Sequence, residues 1–441
     1  MHIRIPSIYI IVLEVICLLI LCGIFMNRSI FVEESIEVTA DTKDNKKYIK
    51  WVDFDVCYSA LDKAYKYDIE THGKEVELHW IELLAYLGTK YGGDFKNYKE
   101  KDMVKLAECL LSGEETMSSL TKDKKYYAYY YEAYEAVLGG LVGEYEIQVY
   151  APTTVPTLTP IVSPTPTATP TPIASTTLTV MPTPIDSSTV TPTPLMQQDN
   201  LGFQKKDTLP NEIVEEEKGS ESEEPKKIWV TRYGLKAFSP IARNYYYNDF
   251  DDFGVSRSYG FRRQHLGHDM MGSIGTPIIA VESGYVEAIG WNRYGGWRIG
   301  IRSFDGKRYY YYAHMRKDFP YNKSLQEGSV VTAGDVIGYL GRTGYSIKEN
   351  VNNISTSHLH FGLQLIFDES QKEGNNEIWV DCYALTKFLY RNRSETIKNP
   401  ETKESYRVME MKDPAVDFYI ENKNKPLDED AQDGIIIEYP N

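Results

Sequence analysis

Cysteine is scarce: the chain has five in 441 residues. Two of them, Cys17 and Cys22, sit inside an apolar N-terminal run. The other three, Cys57, Cys109 and Cys382, are an odd set far apart, and no Cys-x-x-Cys pair occurs. A disulfide-built scaffold and a zinc ribbon are therefore excluded. Positive charge is also short, with 48 Lys+Arg against 63 Asp+Glu and a net charge of −15. Such a chain has no general attraction to phosphate backbones, so no nucleic-acid partner is expected. Phenylalanine is sparse at 15 residues, beside 35 tyrosines. Tyrosine supplies aromatic area with a polar tip, which suits carbohydrate and peptide contacts as well as packing.

What is present divides the chain into different materials, and its length favours two or three domains. Ile8 to Met26 is a 19-residue apolar run with one charge, Glu14. That length just spans a bilayer core. Arg4 precedes it and Arg28 follows, so the positive-inside signal is nearly balanced. No small-x-small cleavage site follows, and Leu21 stands where lipoprotein cleavage before Cys22 needs a small residue. An uncleaved single-pass anchor in the cell membrane is expected over a cleaved signal. Residues 1–7 are then cytoplasmic, and the bulk of the chain is extracellular.

Residues 45–150 read as helical. Trp80, Leu84, Leu87 and Tyr91 step by four, three and four onto one helix face, and Met103, Leu106 and Leu110 step similarly. Gly92–Gly93 and Gly139–Gly140 are expected stops. Six tyrosines between Tyr126 and Tyr134 are expected to pack in a small Tyr-rich domain; a sugar-stacking surface is the alternative. The region shows no paired carboxylates at a spacing a glycosidase needs.

Residues 151–228 form a linker. Eleven prolines lie between Pro152 and Pro194, separated mostly by Thr, Ser and Val, and a run of glutamates follows from Glu212 to Glu224. Such composition favours extended, disordered chain. At ~3.1 Å per residue its roughly 43 proline-rich residues reach ~130 Å. From about Trp229 the chain turns to glycine-punctuated β, with Gly284 dividing two short strands and Asp305–Gly306 marking a hairpin. The fold class expected is multidomain: membrane anchor (8–26), helical domain (45–150), disordered Pro/Thr linker (151–228), C-terminal mainly antiparallel β domain (229–400) and loosely ordered acidic tail (401–441). The β domain is expected to stand alone as a stable fragment from near Trp229.

Five of the eight histidines fall in this β region: His265, His268, His314, His358 and His360. Along Ser357–Ile366 the residues alternate. His358, His360, Gly362 and Gln364 point one way, and Leu359, Phe361, Leu363 and Leu365 the other. Burial of the apolar face leaves both histidines on one surface, close enough to act on one centre. In His265-x-Gly-x-Asp269, imidazole and carboxylate are ordinary zinc donors, and Gly267 is expected to let the chain bend so that both converge. His314 ends the second arm of the Asp-Gly hairpin, a usual place for an acid/base group. Two histidines and an aspartate for a metal with one open position, and two histidines left for proton transfer, make one hydrolytic device.

The ordered run HLGHD, GTPIIAVESGYVEAIGWNRYGG, YYAHM, VVTAGDVIGYLGRTG and SHLHFGLQL resembles the LytM/lysostaphin-type zinc endopeptidases, metallopeptidase family twenty-three, over roughly residues 233–370. The resemblance implies a groove in a largely antiparallel β-sheet and peptide stems or bridges of peptidoglycan as substrate. It implies Zn2+ held by His265, Asp269 and His360, with His314 and His358 as the catalytic pair and His268 as a bystander. Ser357 stands where proline often precedes the His-x-His motif, and Asn350–Asn353 looks like an inserted loop near the cleft. The expected protein is thus a membrane-anchored extracellular cell wall hydrolase. Its membrane contact is the N-terminal helix, and residues 45–150 are open to a protein partner. The alternative is a non-catalytic wall-binding or partner-binding relative, but degenerate relatives lose ligands and none is missing here.

Overall fold

The computed structural model describes residues 49–151, 225–258, 262–372 and 374–423. The expected anchor and nearly all of the expected linker lie outside these residues. Among the described residues no helix is long and apolar enough to cross a membrane.

Five helices come first: α1 (Tyr58–Thr71), α2 (Trp80–Tyr91), α3 (Glu100–Leu111), α4 (Met117–Thr121) and α5 (Tyr127–Leu138). Helix α2 buries Trp80, Leu84 and Leu87 of the expected stripe and Leu83 beside them, while Tyr91 at its end is half-buried. It stops at Gly92, which takes the left-handed conformation at φ 62° that costs glycine little. Of the tyrosines of α5, Tyr134 is fully buried and meets Phe54 edge-on at 5.5 Å, Tyr127, Tyr129 and Tyr130 are half-buried, and Tyr131 is exposed. Gly88 of α2 makes room for them, because a Cβ there would lie 3.0 Å from the Tyr130 ring.

The strands follow in chain order: β1 (Val142–Tyr150), β2 (Lys227–Leu235), β3 (Tyr247–Asp249), β4 (Ser256–Ser258), β5 (Arg262–Gln264), β6 (His268–Gly272) and β7 (Pro277–Ile279). Then come β8 (Gly284–Asn292), β9 (Gly296–Ser303), β10 (Arg308–Ala313), β11 (Val330–Val331), β12 (Val336–Tyr339), β13 (His358–Leu365) and β14 (Ile378–Val380). Helix α6 (Tyr383–Leu389), strands β15 (Thr396–Lys398), β16 (Ser405–Arg407) and β17 (Met411–Lys412), and helix α7 (Pro414–Asn422) complete the order.

The main sheet runs β11-β8-β9-β10-β13-β6-β3, with β14 also paired to β13. Its registered pairs are antiparallel. Alternation sends Ile299, Ile301, Tyr310, Tyr312, Leu359, Phe361, Leu363 and Leu365 into the core. The opposite face stays available for the site. Residues 401–423 differ from the loose tail expected of their charge. Ser405 and Arg407 are buried, Arg407 pairs with Asp335 at 3.0 Å, and β17 completes a small sheet with β1 and β2. Local charge did not prevent order because these residues find tertiary partners.

The larger difference concerns independence. The helical and β regions share one continuous core and form one compact unit, so a free-standing fragment from Trp229 is not what the fold describes. Phe388 of α6 packs on Tyr65 at 5.3 Å and on Trp80 at 5.7 Å. The Tyr233 hydroxyl donates to Asp68 at 2.7 Å. Arg308, at the start of β10 and on its buried face, reaches the end of α5 and donates to the Ala136 carbonyl at 3.1 Å. A cation there also meets the negative end of the helix. Arg308 also grips Glu282 through two nitrogens, at 2.8 and 3.0 Å, and Glu282 accepts from the Tyr310 hydroxyl at 2.7 Å.

Removing one member of this buried pair leaves the other uncompensated. Arg308→Ala should lower the unfolding free energy by roughly 3–5 kcal/mol in urea titration. Adding Glu282→Gln should recover part of that loss. An Arg308→Ala curve that overlays the wild type would refute the clamp.

Candidate metal centre and its cleft

Strand β13 lies between β10 and β6, with His360 opposite Ala313 on one side and Asp269 on the other. Residues directly opposite share a face. His360 and Asp269 therefore emerge together, while Leu359, Phe361 and His268 go to the other side. His265 precedes β6. Its backbone is held in both directions: its N–H donates to the Val255 carbonyl at 3.0 Å, and its carbonyl accepts from Gly254 at 2.7 Å.

These placements converge. His265 Nε2 lies 3.0 Å from both Asp269 Oδ1 and His360 Nδ1, and His360 Nδ1 lies 2.9 Å from Asp269 Oδ1. The three ligand atoms fall within 4.8 Å of one another, the one such group of His, Cys, Asp and Glu found among the described residues. Two imidazole nitrogens and a carboxylate oxygen facing one point, with room for a fourth ligand, fit a zinc ion in a hydrolytic site.

Two supports, Asp252 and Arg257, were not legible in the sequence. His265 Nδ1 donates to the Asp252 carbonyl at 3.2 Å, which turns its Nε2 lone pair toward the centre. Arg257 pairs with the Asp252 carboxylate and approaches Asp269 Oδ2 at 3.4 Å. Burial alone would raise the Asp269 carboxyl pKa, but the adjoining His265 and His360 imidazoles outweigh it and hold it far below the usual carboxylate range. Gly267 works differently from its expected role as a bend. A Cβ there would lie 2.7 Å from both His360 Cε1 and the Phe361 carbonyl, so its absence gives the His360 ring its place.

His314 and His358 stand beside this group. Their rings are 4.7 Å apart, and His358 Nε2 is 3.7 Å from Asp269 Oδ1. His314 Nδ1 donates to the Thr343 carbonyl at 2.9 Å, and His358 Nδ1 to the Thr356 carbonyl at 2.8 Å. A carbonyl can only accept, so each Nδ1 carries hydrogen and each Nε2 is left to exchange a proton. Burial first, then the adjacent His358 and His360, pushes the His314 pKa well below the ordinary value and keeps it neutral at physiological pH. His314 also takes a left-handed backbone at φ 60°, a strain that non-glycine residues rarely carry. Gly344 permits its hydrogen bond, since a Cβ there would come 3.1 Å from His314 Nδ1 and 2.4 Å from the Tyr294 carbonyl.

His268 is set apart. It is buried, bonded to Thr386 of α6 at 2.7 Å and 3.3 Å from Asp249. It belongs to the core and ties α6 to the sheet. The Ser357 hydroxyl donates to the Gly272 carbonyl at 2.7 Å, so this departure from proline adds a link between β13 and β6. Asn350 accepts from Trp297 Nε1 and from the Asp318 N–H, each at 2.9 Å, which staples its loop to the sheet.

A cleft of about 640 Å³ opens from His265 and His360 and continues past Tyr311, Arg298, Gln364 and Lys372. A separate cavity of about 340 Å³ in the helical region gathers Asp68, Glu77, Glu82 and Glu135. The fold thus assembles carboxylates there that no sequence spacing announced. Asp68 is already occupied by the Trp80 N–H and Tyr233 hydroxyl.

Residues 263–373 match peptidase family M23. Over 154 residues the chain is 38% identical to the L-Ala-D-Glu endopeptidase of Bacillus subtilis (strain 168), covering 35% of this chain and 44% of that protein. Over 98 residues it is 37% identical to a glycyl-glycine endopeptidase of Staphylococcus capitis, covering 22% of this chain and 24% of the relative. The solved catalytic domain of lysostaphin from Staphylococcus simulans is 31% identical, with coverage of 32% of this chain and 92% of that one and a TM-score of 0.26. The chain spans less than half the length of these two curated relatives.

Gly267→Ala should weaken zinc binding by roughly 10–100-fold in chelator competition, because it displaces a donor ring. His268→Ala should keep zinc but lose about 2–3 kcal/mol of stability as the link to Thr386 goes. Wild-type zinc affinity in the first variant, or lost zinc in the second, would contradict these assignments.

Proposed function

From residues 263–373, which belong to peptidase family M23, we propose that the protein is a zinc endopeptidase of the bacterial cell wall that cuts peptide bonds of peptidoglycan. One observation carries this reading: His265, Asp269 and His360 converge on one point beside the paired His314 and His358, at the end of an open cleft. In this reading His265, Asp269 and His360 hold the metal. A zinc ion there supplies Lewis-acid polarisation of the scissile amide.

The chain's own residues do the rest. The amide is held in extended form along the sheet face. His314 and His358, each fixed through Nδ1, offer Nε2 to take a proton from the attacking water and return it to the leaving amine. Neutral His314 begins as the acceptor. His358, nearer Asp269, is placed to stay close to the charge that develops on the tetrahedral intermediate. The names of the relatives point to two kinds of bond, an L-Ala-D-Glu linkage and a glycyl-glycine bridge, and both are peptides of the wall. Tethering through residues 8–26, with the bulk of the chain outside, completes the proposal and would bring the cleft to its substrate. The helical region serves as a buttress for the sheet through Arg308 and Phe388, without separate chemistry.

His314→Ala and His358→Ala should each retain zinc and lose ~10²–10⁴-fold in turnover, the usual loss for a positioned acid/base group. The assay is digestion of purified cell wall with released peptides identified by mass spectrometry. Near wild-type release by both variants would sink the catalytic roles. Failure of the zinc-loaded wild type to release any peptide would sink the function.

A further inference from the structure

We infer that Arg298 recognises a free carboxylate on the substrate beside the bond being cut, which selects an acidic stem peptide over a neutral glycyl bridge. This deepens the peptidase reading and rests on it.

The register places the residue. Strands β9 and β10 pair Ile299 with Tyr312, so the next step sets Arg298 across from Ala313, and Ala313 is opposite His360. Arg298 and His360 thus share a face, two strand spacings or about 10 Å apart at the backbone. Ala313 between them is small, and the Tyr311 ring, 6.0 Å from that of His360, lines the same stretch of cleft. Arg298 lines the same cleft as His265 and His360.

The other charges in that cleft are committed. Glu287 is taken by Lys372 and lies 3.5 Å from Arg302. Lys372 also meets Glu369 at 3.3 Å. Glu377 accepts from Trp379 Nε1 at 2.7 Å, and Arg263 lies over the Tyr345 ring at 5.1 Å. Arg298 differs. Among the described residues no carboxylate pairs with it, and its Nη1 is buried without a hydrogen-bond partner. Around it stand the neutral phenols of Tyr309, Tyr311 and Tyr321, which its charge favours toward ionisation but which burial holds protonated.

A half-buried guanidinium without a counter-ion is costly to keep. A planar carboxylate answers its geometry through two parallel hydrogen bonds. The group must sit near the scissile amide, because Arg298 lines the same cleft as His265 and His360. A γ-linked glutamate on the leaving side meets this condition: its free α-carboxylate is two bonds from the scissile nitrogen. A glycyl bridge offers no side of negative charge at all.

The test uses the zinc-loaded chain and three soluble peptides. One carries a γ-linked D-glutamate with its α-carboxylate free after the scissile bond. The second is identical with that carboxylate as carboxamide, and the third is pentaglycine. Wild type should prefer the carboxylate over the carboxamide by roughly 10–100-fold in kcat/KM, the scale of a charge-assisted pair. Arg298→Gln should bring that ratio close to one, mainly through KM, and Arg298→Lys should restore part of it. Zinc content and melting temperature of the variants report whether the site is intact. If a variant fails to fold, the wild-type carboxylate-to-carboxamide ratio still decides. Equal cleavage of carboxylate and carboxamide, preference for pentaglycine, or a preference unchanged in Arg298→Gln would overturn the role of Arg298 while leaving the peptidase intact. No cleavage of any of the three, with no peptide released from whole wall, would overturn the peptidase reading itself and this inference with it.

Discussion

The antiparallel register of β13 between β6 and β10 is the constraint on which the site depends. It sets His360 opposite Asp269 and opposite Ala313 at once. Because side chains alternate along a strand, a slip of one residue would turn both histidines of the His-x-His motif into the core and bring Leu359 and Phe361 to the cleft. The register is held by what is buried. Leu359, Phe361 and Leu363 are fully enclosed, and exposing three such side chains would cost about 5–9 kcal/mol. The apolar face therefore positions the polar one.

Positions around this frame are tuned by close contact. Glycine at 267 leaves space for an imidazole, and glycine at 344 lets His314 bond to a neighbouring carbonyl. His265, His314 and His358 each have Nδ1 spoken for by a backbone carbonyl, which leaves Nε2 for the site. Such pre-orientation reduces the reorganisation a reaction would otherwise require. The strained backbone of His314 fits the same pattern, since the surrounding hydrogen bonds over-determine it.

The helical region contributes to the same body. Arg308 belongs to a strand of the sheet, yet it caps the end of α5 and pairs with a buried glutamate. A bundle of helices and a sheet that could each have been separate domains are joined by buried charge and by aromatic contacts from Phe388. Stability of the sheet, and with it the geometry of the cleft, is therefore coupled to residues far from any chemistry. The charges inside the cleft follow the opposite economy, with all but one of those named above engaged locally and Arg298 left for something outside the chain.

Local pattern in the sequence determined a good deal. Helical spacing marked α2 and α3, glycine marked the end of α2, Asp305–Gly306 marked the β9–β10 turn, and alternation marked the two faces of β13. Histidine is uncommon and its spacing within strands is local, which marked the region of the candidate site, and the family resemblance separated its five residues from His268. What only tertiary structure decided lies at long range. His360 and Asp269 meet across 91 positions, and Arg308 meets Ala136 across 172. Asp252 and Arg257 belonged to no motif, and the acidic tail looked unstructured, because neither sequence period nor composition records which partner a charge will find. Period follows from backbone geometry and is written residue by residue. Pairing follows from how apolar faces are buried together, and that is settled only when the whole chain has closed around its core.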